Sequence, residues 1–412
     1  MPDKMERVVV TGIGVASPLG CTVGEFWAGL LEGRSGVVAL QEEEFAGLRT
    51  RIGARVSSFD PQDHFDRKEA RRMSRSSQLA RVAADQAITE ACLTGGKVDP
   101  LEVGVIIGSS IGGFSASDRF FRDFYLHGQS NPFTIPISMN HGPSTHVSIH
   151  YGFQGPLMTV DAACASAAHS IGYAYNLIRT GMLQVAVSGG ADYPFTRGVM
   201  QAWCAMRALS ERNDNPAEAC RPFSADRDGL VLGEGAGVLV LESESSALRR
   251  GSRILAEIRG YAATGDSYHL TQPTLQGPVR AMSRTLKDAG LAPEQIDYIN
   301  AHATGTPQND GNETAAIKEV FGSHAYTIPV VGNKAALGHS IGASGALELI
   351  SCILSIRDQV VPPTINYKVP DPECDLDYVT GGSRSATIRN VMSNSFAFGG
   401  SNAALIVSAY DT

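Results

Sequence analysis

One cysteine and two histidines stand out among the residues able to do covalent chemistry. Cys164 lies in T-V-D-A-A-C-A-S-A-A-H-S, where an apolar strand-like run gives way to a small-residue helix. A helix start carries a partial positive charge and unused backbone N–H groups. A cysteine there is placed to act as a thiolate and to hold a developing oxyanion. Ala162, Ala163, Ala165, Ala167 and Ala168 leave room for a substrate or for close helix packing. A free cysteine is more often a small buried hydrophobe, so the case leans on its company. His302, in N-A-H-A-T-G-T-P, follows the apolar Ile296–Ile299, and His339, in G-N-K-A-A-L-G-H-S-I-G-A-S-G, follows Ile328–Val331. In α/β sheets ligands bind outside the carboxyl ends of strands, so three such loops can converge on one site. The set suits a decarboxylating condensation. A thiolate holds an acyl group as a thioester, and two imidazole N–H groups stabilise the enolate left when a malonyl thioester loses CO2. Lys334 lies five residues before His339, and a buried lysine there would help hold the local charge balance.

The elements that must position these residues alternate between strand and helix. Apolar runs predict strands over 6–12, 103–107, 156–163 and 184–189, and two strands joined by a glycine-rich turn within 229–242. Further strands are expected over 254–260, 296–301 and 328–332 and near 387–393 and 403–409. Helical periodicity predicts one long helix over 66–92, a helix from Cys164 to about Arg179, and helices over 277–289, 311–321 and 343–357. Residues 114–150 read as loops and short helices. Alternation of this kind argues for an α/β layered fold with largely parallel central strands. No linker divides the chain and no short-period repeat is visible.

Whole-chain properties exclude several classes. The 412 residues are 43% hydrophobic and 18% charged, enough to bury a large core, and the net charge of −8 disfavours a nucleic-acid binder. The seven cysteines are scattered without a C-x-x-C pair, which fits neither a disulfide framework nor a zinc site and points to a reducing cytoplasm. No signal-peptide core or apolar stretch long enough to span a membrane is read. No metal is expected, because no histidine pair has ligand spacing. Gly233-Glu234-Gly235-Ala236-Gly237 lies between strand-like runs rather than opening a helix, so a dinucleotide site is not expected. One rival remains: Gly108-Ser109-Ser110-Ile111-Gly112 fits the G-x-S-x-G elbow that would make Ser110 a hydrolase nucleophile. A glycine-rich packing loop explains the same five residues without catalysis.

With these residues in hand, the chain resembles the β-ketoacyl-acyl carrier protein synthases, most closely the type II elongating enzymes. The resemblance runs from R-V-V-V-T-G-I-G-V-A-S-P-L-G to N-S-F-A-F-G-G-S-N, through R-A-L-S-E-R-N-D-N-P, R-P-F-S-A-D-R-D-G-L-V-L-G-E-G-A-G, G-H-S-I-G-A-S-G-A-L-E and V-P-P-T-I-N. It implies a thiolase-like, five-layered α-β-α-β-α core built from two similar halves. Residues 1–250 would carry Cys164; residues 251–412 would carry His302, Lys334, His339 and a gating loop. It implies that Cys164 is acylated, that His302 and His339 serve malonyl decarboxylation, and that Glu348 partners Lys334. The backbone N–H groups of Cys164 and Phe398 would form the oxyanion hole, and Phe398 would gate the acyl pocket. Thr304 and Thr306 would touch the phosphopantetheine arm, and Asp310 and Glu313 match acidic positions near the site. Lys68, Arg71, Arg72 and Arg207 match docking positions for acyl carrier protein (ACP). The implied partners are acyl-ACP, malonyl-ACP and a second copy of the chain. The only prosthetic group implied is the phosphopantetheine carried by ACP.

Some positions depart from the family pattern. Asn333 stands where threonine is common, Asn309 where glycine is usual, Gln129-Ser130 where a basic docking pair often lies, and Thr134 where phenylalanine often lines the acyl pocket. These leave the chemistry intact and make a dedicated polyketide or polyene ketosynthase, paired with a chain-length partner subunit, the alternative to fatty acid elongation. Subunits that only shape a partner's pocket typically lack the nucleophile, thiolases tend to place a second cysteine in the loop here spanning 394–400, and initiating synthases put asparagine where His339 stands. All three are disfavoured.

Overall fold

The computed structural model describes residues 5–96 and 98–411. The valines at Val8–Val10 open a strand, Val8–Ala16, that is buried along its whole length. A strand apolar on both faces needs cover on both, and helices supply it. It pairs antiparallel with Gly235–Ser243 on one side and, over Val8–Val10 only, with Ala256–Ile258 on the other. These pairings join two five-stranded sets into one ten-stranded sheet.

The two sets share a topology that no sequence repeat announces. In chain order the first comprises Val8–Ala16, Val103–Gly108, Leu157–Met158, Val185–Asp192 and Gly235–Ser243. The second comprises Ala256–Gly265, Tyr298–Asn300, Val330–Val331, Asn390–Phe396 and Ser401–Ser408. Counted outward from the seam, each set lies in the order first, fifth, fourth, second, third. In each, the fifth strand is antiparallel to the first and the fourth, while the second is parallel to the fourth and the third. The expectation of largely parallel central strands is therefore corrected: parallel pairs flank an antiparallel centre. The reason is plainest in the second set, where the loop between Phe396 and Ser401 is too short for a crossover and forces a hairpin.

Helices Ser166–Arg179 and Ser344–Asp358 pack on each other and on strands of both sets, forming the middle layer. Arg75–Glu90 and Gly142–Tyr151 cover the outer face of the first set, and Gln276–Ala289 and Pro307–Phe321 that of the second. This gives the five layers α-β-α-β-α. The central core gathers Ile171, Leu239, Leu241, Leu349, Ile350 and Leu405, all at most 1% exposed. Helix 166–179 presses so closely on the second set that a Cβ on Gly172 would sit 2.3 Å from the Tyr261 ring.

Four local expectations are corrected. The long helix over 66–92 is two helices, Arg67–Ala70 and Arg75–Glu90, because Ser74 turns its hydroxyl back to accept from Ser77 N and restarts the helix. The strand over 156–163 is only Leu157–Met158, after which the chain leaves the sheet toward Cys164. Within 229–242 there is one strand, Gly235–Ser243; Leu232 instead bridges His339. Residues 114–150 contain a full helix, Phe114–His127, beside two shorter ones.

Leu349 is fully buried on the middle-layer helix Ser344–Asp358, so Leu349→Ala should lower the unfolding free energy by ~2–5 kcal/mol in a denaturant titration. A loss well under ~1 kcal/mol would show that the middle layer is not closely packed.

Candidate active site

Cys164 is delivered by a strained turn. Ala163 adopts a φ of +48°, and the 3-10 turn Ala163–Ala165 runs directly into helix Ser166–Arg179. The Ser166 hydroxyl locks the turn, accepting from Ala162 N at 2.9 Å and donating to Ala163 O at 2.7 Å. The cysteine is 6% exposed. Burial pushes its thiol up to about 11; Lys334 and the N–H groups of Phe398 and of Cys164 itself pull the other way. The expectation that the helix start favours a thiolate is thus corrected: burial outweighs it, and the resting group is a thiol. Neither the Cys164 nor the Phe398 N–H is taken by a backbone acceptor among the described residues, and both approach the sulfur. They are free to receive an oxyanion.

The same turn recurs before the other middle-layer helix. Ile341–Ala343 precedes Ser344–Asp358, with Ile341 at a φ of +47°, and the two turns touch. His339 enters this turn from a bridge with Leu232, its N–H donating to Val231 O at 2.7 Å. Its Nδ1 meets the Ser344 hydroxyl at 2.9 Å, while its buried Nε2 has no protein partner. His302 follows strand Tyr298–Asn300. Its Nδ1 faces Lys334 Nζ at 3.4 Å. An ammonium can only donate, so that contact favours the tautomer with the proton on Nε2. The two imidazole rings stand nearly perpendicular, 84° apart with centroids at 5.4 Å. Ligand atoms of Cys164, His302 and His339 all lie within 4.8 Å of one another. Burial first, then Lys334, holds both imidazoles well below their ordinary range, so both are neutral and each has one N–H to give.

Lys334 is itself 1% exposed and donates to His302 O at 2.7 Å, with Glu348 completing its shell as an ion pair. Burial raises the Glu348 carboxyl despite that lysine. Glu313 accepts the N–H groups of His302 and Ala303, both at 2.8 Å, and so fixes the backbone that carries the first histidine. Asp310 does not reach the reacting atoms; it accepts Gly305 N at 3.2 Å and Phe223 N at 2.8 Å and pins the adjoining loop. Asn333, the departure from the family pattern, bridges Asn300 Oδ1 and Ser351 Oγ at 2.7 Å each.

Cys164, His302, His339, Thr304, Thr306 and Phe398 line one cavity of about 70 Å³. The two threonine hydroxyls meet at 2.9 Å on its wall. The Phe398 ring stacks on Trp203, at 6.0 Å and 27°, across the same cavity. Lys68, Arg71, Arg72 and Arg207 are all exposed, the first three around helix Arg67–Ala70 and Arg207 at the end of helix Arg197–Met206. Arg71 also lines a wider cleft of about 1040 Å³ together with Arg67, Arg119 and Arg122. Sequence reasoning missed Trp203, Ser344 and Asp192. Only Asp192 left a signal, as an acid after the paired glycines that end an apolar strand. Ser110 is no elbow nucleophile: its N–H is bound to Asp192, and its oxygen meets none of the histidines.

A thiol under two free N–H groups, faced by two neutral imidazoles in a doubled α/β fold, defines a cysteine acyl-transfer site. Sequence comparison places it further. The β-ketoacyl synthase N-terminal domain matches residues 5–247 and the C-terminal domain residues 255–368. The chain belongs to the β-ketoacyl synthase family. It is 43% identical, over 99% of both chains, to 3-oxoacyl-[acyl-carrier-protein] synthase 2 of Synechocystis. It is equally 43% identical to nodulation protein E of Rhizobium meliloti, over 97% of this chain and 98% of that protein. The structure of the ishigamide ketosynthase/chain length factor superposes with a TM-score of 0.92 at 36% identity, covering 99% of this chain and all of that one.

Because the resting sulfur is a thiol, alkylation of Cys164 by iodoacetamide should accelerate about tenfold per pH unit through the neutral and mildly alkaline range, without levelling off. The check is intact-mass alkylation kinetics against pH. A plateau beginning near neutrality would show a thiolate instead.

Proposed function

We propose that the chain extends a carrier-bound acyl chain by decarboxylative condensation with malonyl-ACP. The observation that carries this reading is the triangle of Cys164 and two neutral, inward-facing imidazoles beneath two free N–H groups. In the first half-reaction Cys164 attacks the acyl thioester of acyl-ACP. Its proton leaves with the phosphopantetheine sulfur, and the tetrahedral oxyanion is held by Cys164 N–H and Phe398 N–H. In the second, the bond between Cα and the carboxylate of malonyl-ACP breaks and CO2 departs. The enolate oxygen then receives the Nε2–H groups of His302 and His339. Lys334 keeps the His302 proton on Nε2, and the Ser344 hydroxyl can do the same for His339 by donating to its Nδ1. The carbanion attacks the thioester carbonyl, and the sulfur of Cys164 leaves as a thiolate as the new carbon–carbon bond forms; one proton taken up from solvent after product departs restores the resting thiol.

The remaining residues serve that cycle. Glu348 balances Lys334, while Glu313 and Asp310 hold the histidine loop. Thr304 and Thr306 line the pantetheine passage, and Phe398, leaning on Trp203, gates the acyl pocket. Lys68, Arg71, Arg72 and Arg207 form the docking surface for acidic ACP. No metal, nucleotide or resident organic cofactor enters; the phosphopantetheine arrives on ACP. Residues 1–250 and 251–412 are the two halves of the catalytic unit. Phe114, Phe121, Phe124, Tyr125 and Leu126 project from one exposed helix, each at least 46% exposed, and a patch of that kind favours a homodimer. The chain works in the cytoplasm, and among the described residues no helix is long and apolar enough to cross a membrane. A second reading, a polyketide or polyene ketosynthase paired with a chain-length subunit, is favoured by Thr134 at a position where the family often has phenylalanine and by the likeness to a ketosynthase/chain length factor.

Intact-mass analysis after mixing with acyl-ACP and malonyl-ACP should show an acyl adduct on Cys164 and a β-ketoacyl-ACP two carbons longer. Cys164→Ala should give neither. His302→Ala or His339→Ala should slow malonyl-ACP decarboxylation by about 10²–10³; unchanged turnover would sink those roles. Adduct without product would favour the reading with a missing partner subunit. Reversing the charge of Arg71, Arg72 and Arg207 together should raise KM for ACP substrates by about tenfold or more, in a salt-sensitive way, and leave carrier-free acyl thioesters unaffected. An equal effect on both substrate types would remove these residues from docking.

A further inference from the structure

The G-S-S-I-G loop at 108–112 has no part in the chemistry above, yet it is built around a fully buried carboxylate. Asp192 ends strand Val185–Asp192 and is 0% exposed. Its Oδ1 accepts the Ser109 hydroxyl at 3.2 Å and Ile111 N at 3.0 Å. Its Oδ2 accepts Ser110 N at 3.1 Å and Gly342 N at 2.8 Å. All four donors are uncharged, and a buried carboxylate needs such a full shell. The first three come from the loop after strand Val103–Gly108. The fourth comes from the turn Ile341–Ala343, which belongs to the other set of strands and joins His339 to Ser344.

The topological likeness of the two halves shows what this bond replaces. Cys164 N–H and Gly342 N–H occupy matching places, each one residue after a non-glycine residue of positive φ, Ala163 and Ile341. The Cys164 N–H is left open for substrate, whereas the Gly342 N–H is filled from within by Asp192. Nothing larger than glycine fits at 342, since a Cβ there would lie 2.6 Å from Asp192 Oδ2 and 2.9 Å from Ser110 N. The strand brings Asp192 close by being bare itself: a Cβ on Gly190 would lie 2.3 Å from Gly342 O.

We propose that Asp192 is a positioning residue for the decarboxylation half-reaction: by capturing Gly342 N–H together with the 109–111 loop, it sets the turn that aligns His339 with Ser344. The proposal rests on the reading of His339 as an enolate donor. Asp192 touches neither substrate nor reacting atoms. It acts through Gly342, three residues beyond His339 and two before Ser344, whose hydroxyl faces His339 Nδ1 at 2.9 Å. An amide at 192 retains one acceptor oxygen but turns an NH2 toward the donors on its other side, so the four-donor shell that ties the turn to the 109–111 loop is broken on that side.

The test separates the two half-reactions in the full-length protein. Acylation of Cys164 by acyl-ACP is followed by intact mass, and CO2 release from malonyl-ACP is followed on its own. Asp192→Asn should slow decarboxylation at least tenfold while acylation changes less than threefold. Gly342→Ala leaves the carboxylate in place but pushes the turn off it and should give the same split. Ser109→Ala removes only the weakest donor and should stay within twofold on both. Thermal melting of each variant is read alongside, and if Asp192→Asn does not fold, Gly342→Ala decides. Equal losses in both half-reactions that track the melting temperature would make Asp192 a packing residue and overturn the proposal, as would unchanged decarboxylation. A wild-type protein that performs neither half-reaction would instead overturn the functional reading on which the proposal stands.

Discussion

Loops can be buried only where their backbone N–H groups find acceptors, and in this protein buried carboxylates supply them. Glu313 takes the N–H groups of His302 and Ala303, and Asp310 those of Gly305 and Phe223. Glu234 takes Val56 N and pairs with Arg75, and Asp192 ties the 109–111 loop to Gly342. Water would satisfy the same donors at lower cost in desolvation, but the site would then be wet and mobile. A reaction that passes through an enolate needs the opposite: fixed donors, no bulk water and no stray proton source. The carboxylates are thus what allows catalytic side chains to sit on loops and still be held as rigidly as residues in a sheet.

The electrostatics follow the same logic. The reacting groups themselves are neutral at rest: a thiol raised by burial and two imidazoles lowered by it. One step back lie the Lys334–Glu348 ion pair and the loop carboxyls, where burial disfavours the charged form and the backbone N–H donors favour it. A buried ion pair of this kind contributes little net stability. Its effect is orientation, since Lys334 reaches both the carbonyl and the Nδ1 side of His302. Charge that develops during the reaction therefore meets dipoles already in place.

Much of this was legible in the sequence, and the misses have physical causes. Cys164, His302 and His339 could be found because each sits in a small-residue loop after an apolar run, and the structure brings all three to one cavity. Lys334 and Glu348 meet as expected from the resemblance. The thiolate expectation failed because helix position is visible in sequence but depth of burial is not. The strand over 156–163 failed because Ala162 and Ala163 abandon sheet geometry to present Cys164. The doubled topology was invisible because strand order is set by long-range pairing, which leaves no mark on local periodicity. Asp192 was overlooked because it meets its partners only when two distant turns come together.

The narrow seam between the two sets of strands bears on how the chain reaches this state. Strand Val8–Ala16 finds its long partner only at Gly235–Ser243, and Ala256–Gly265 waits for the distant Ser401–Ser408. Each set is therefore completed only when its fifth strand pairs with its first. During synthesis the N-terminal strand must stay unpaired, or chaperoned, until more than half the protein has emerged. Contacts this distant in sequence make for slow closure and a long exposure of an apolar edge.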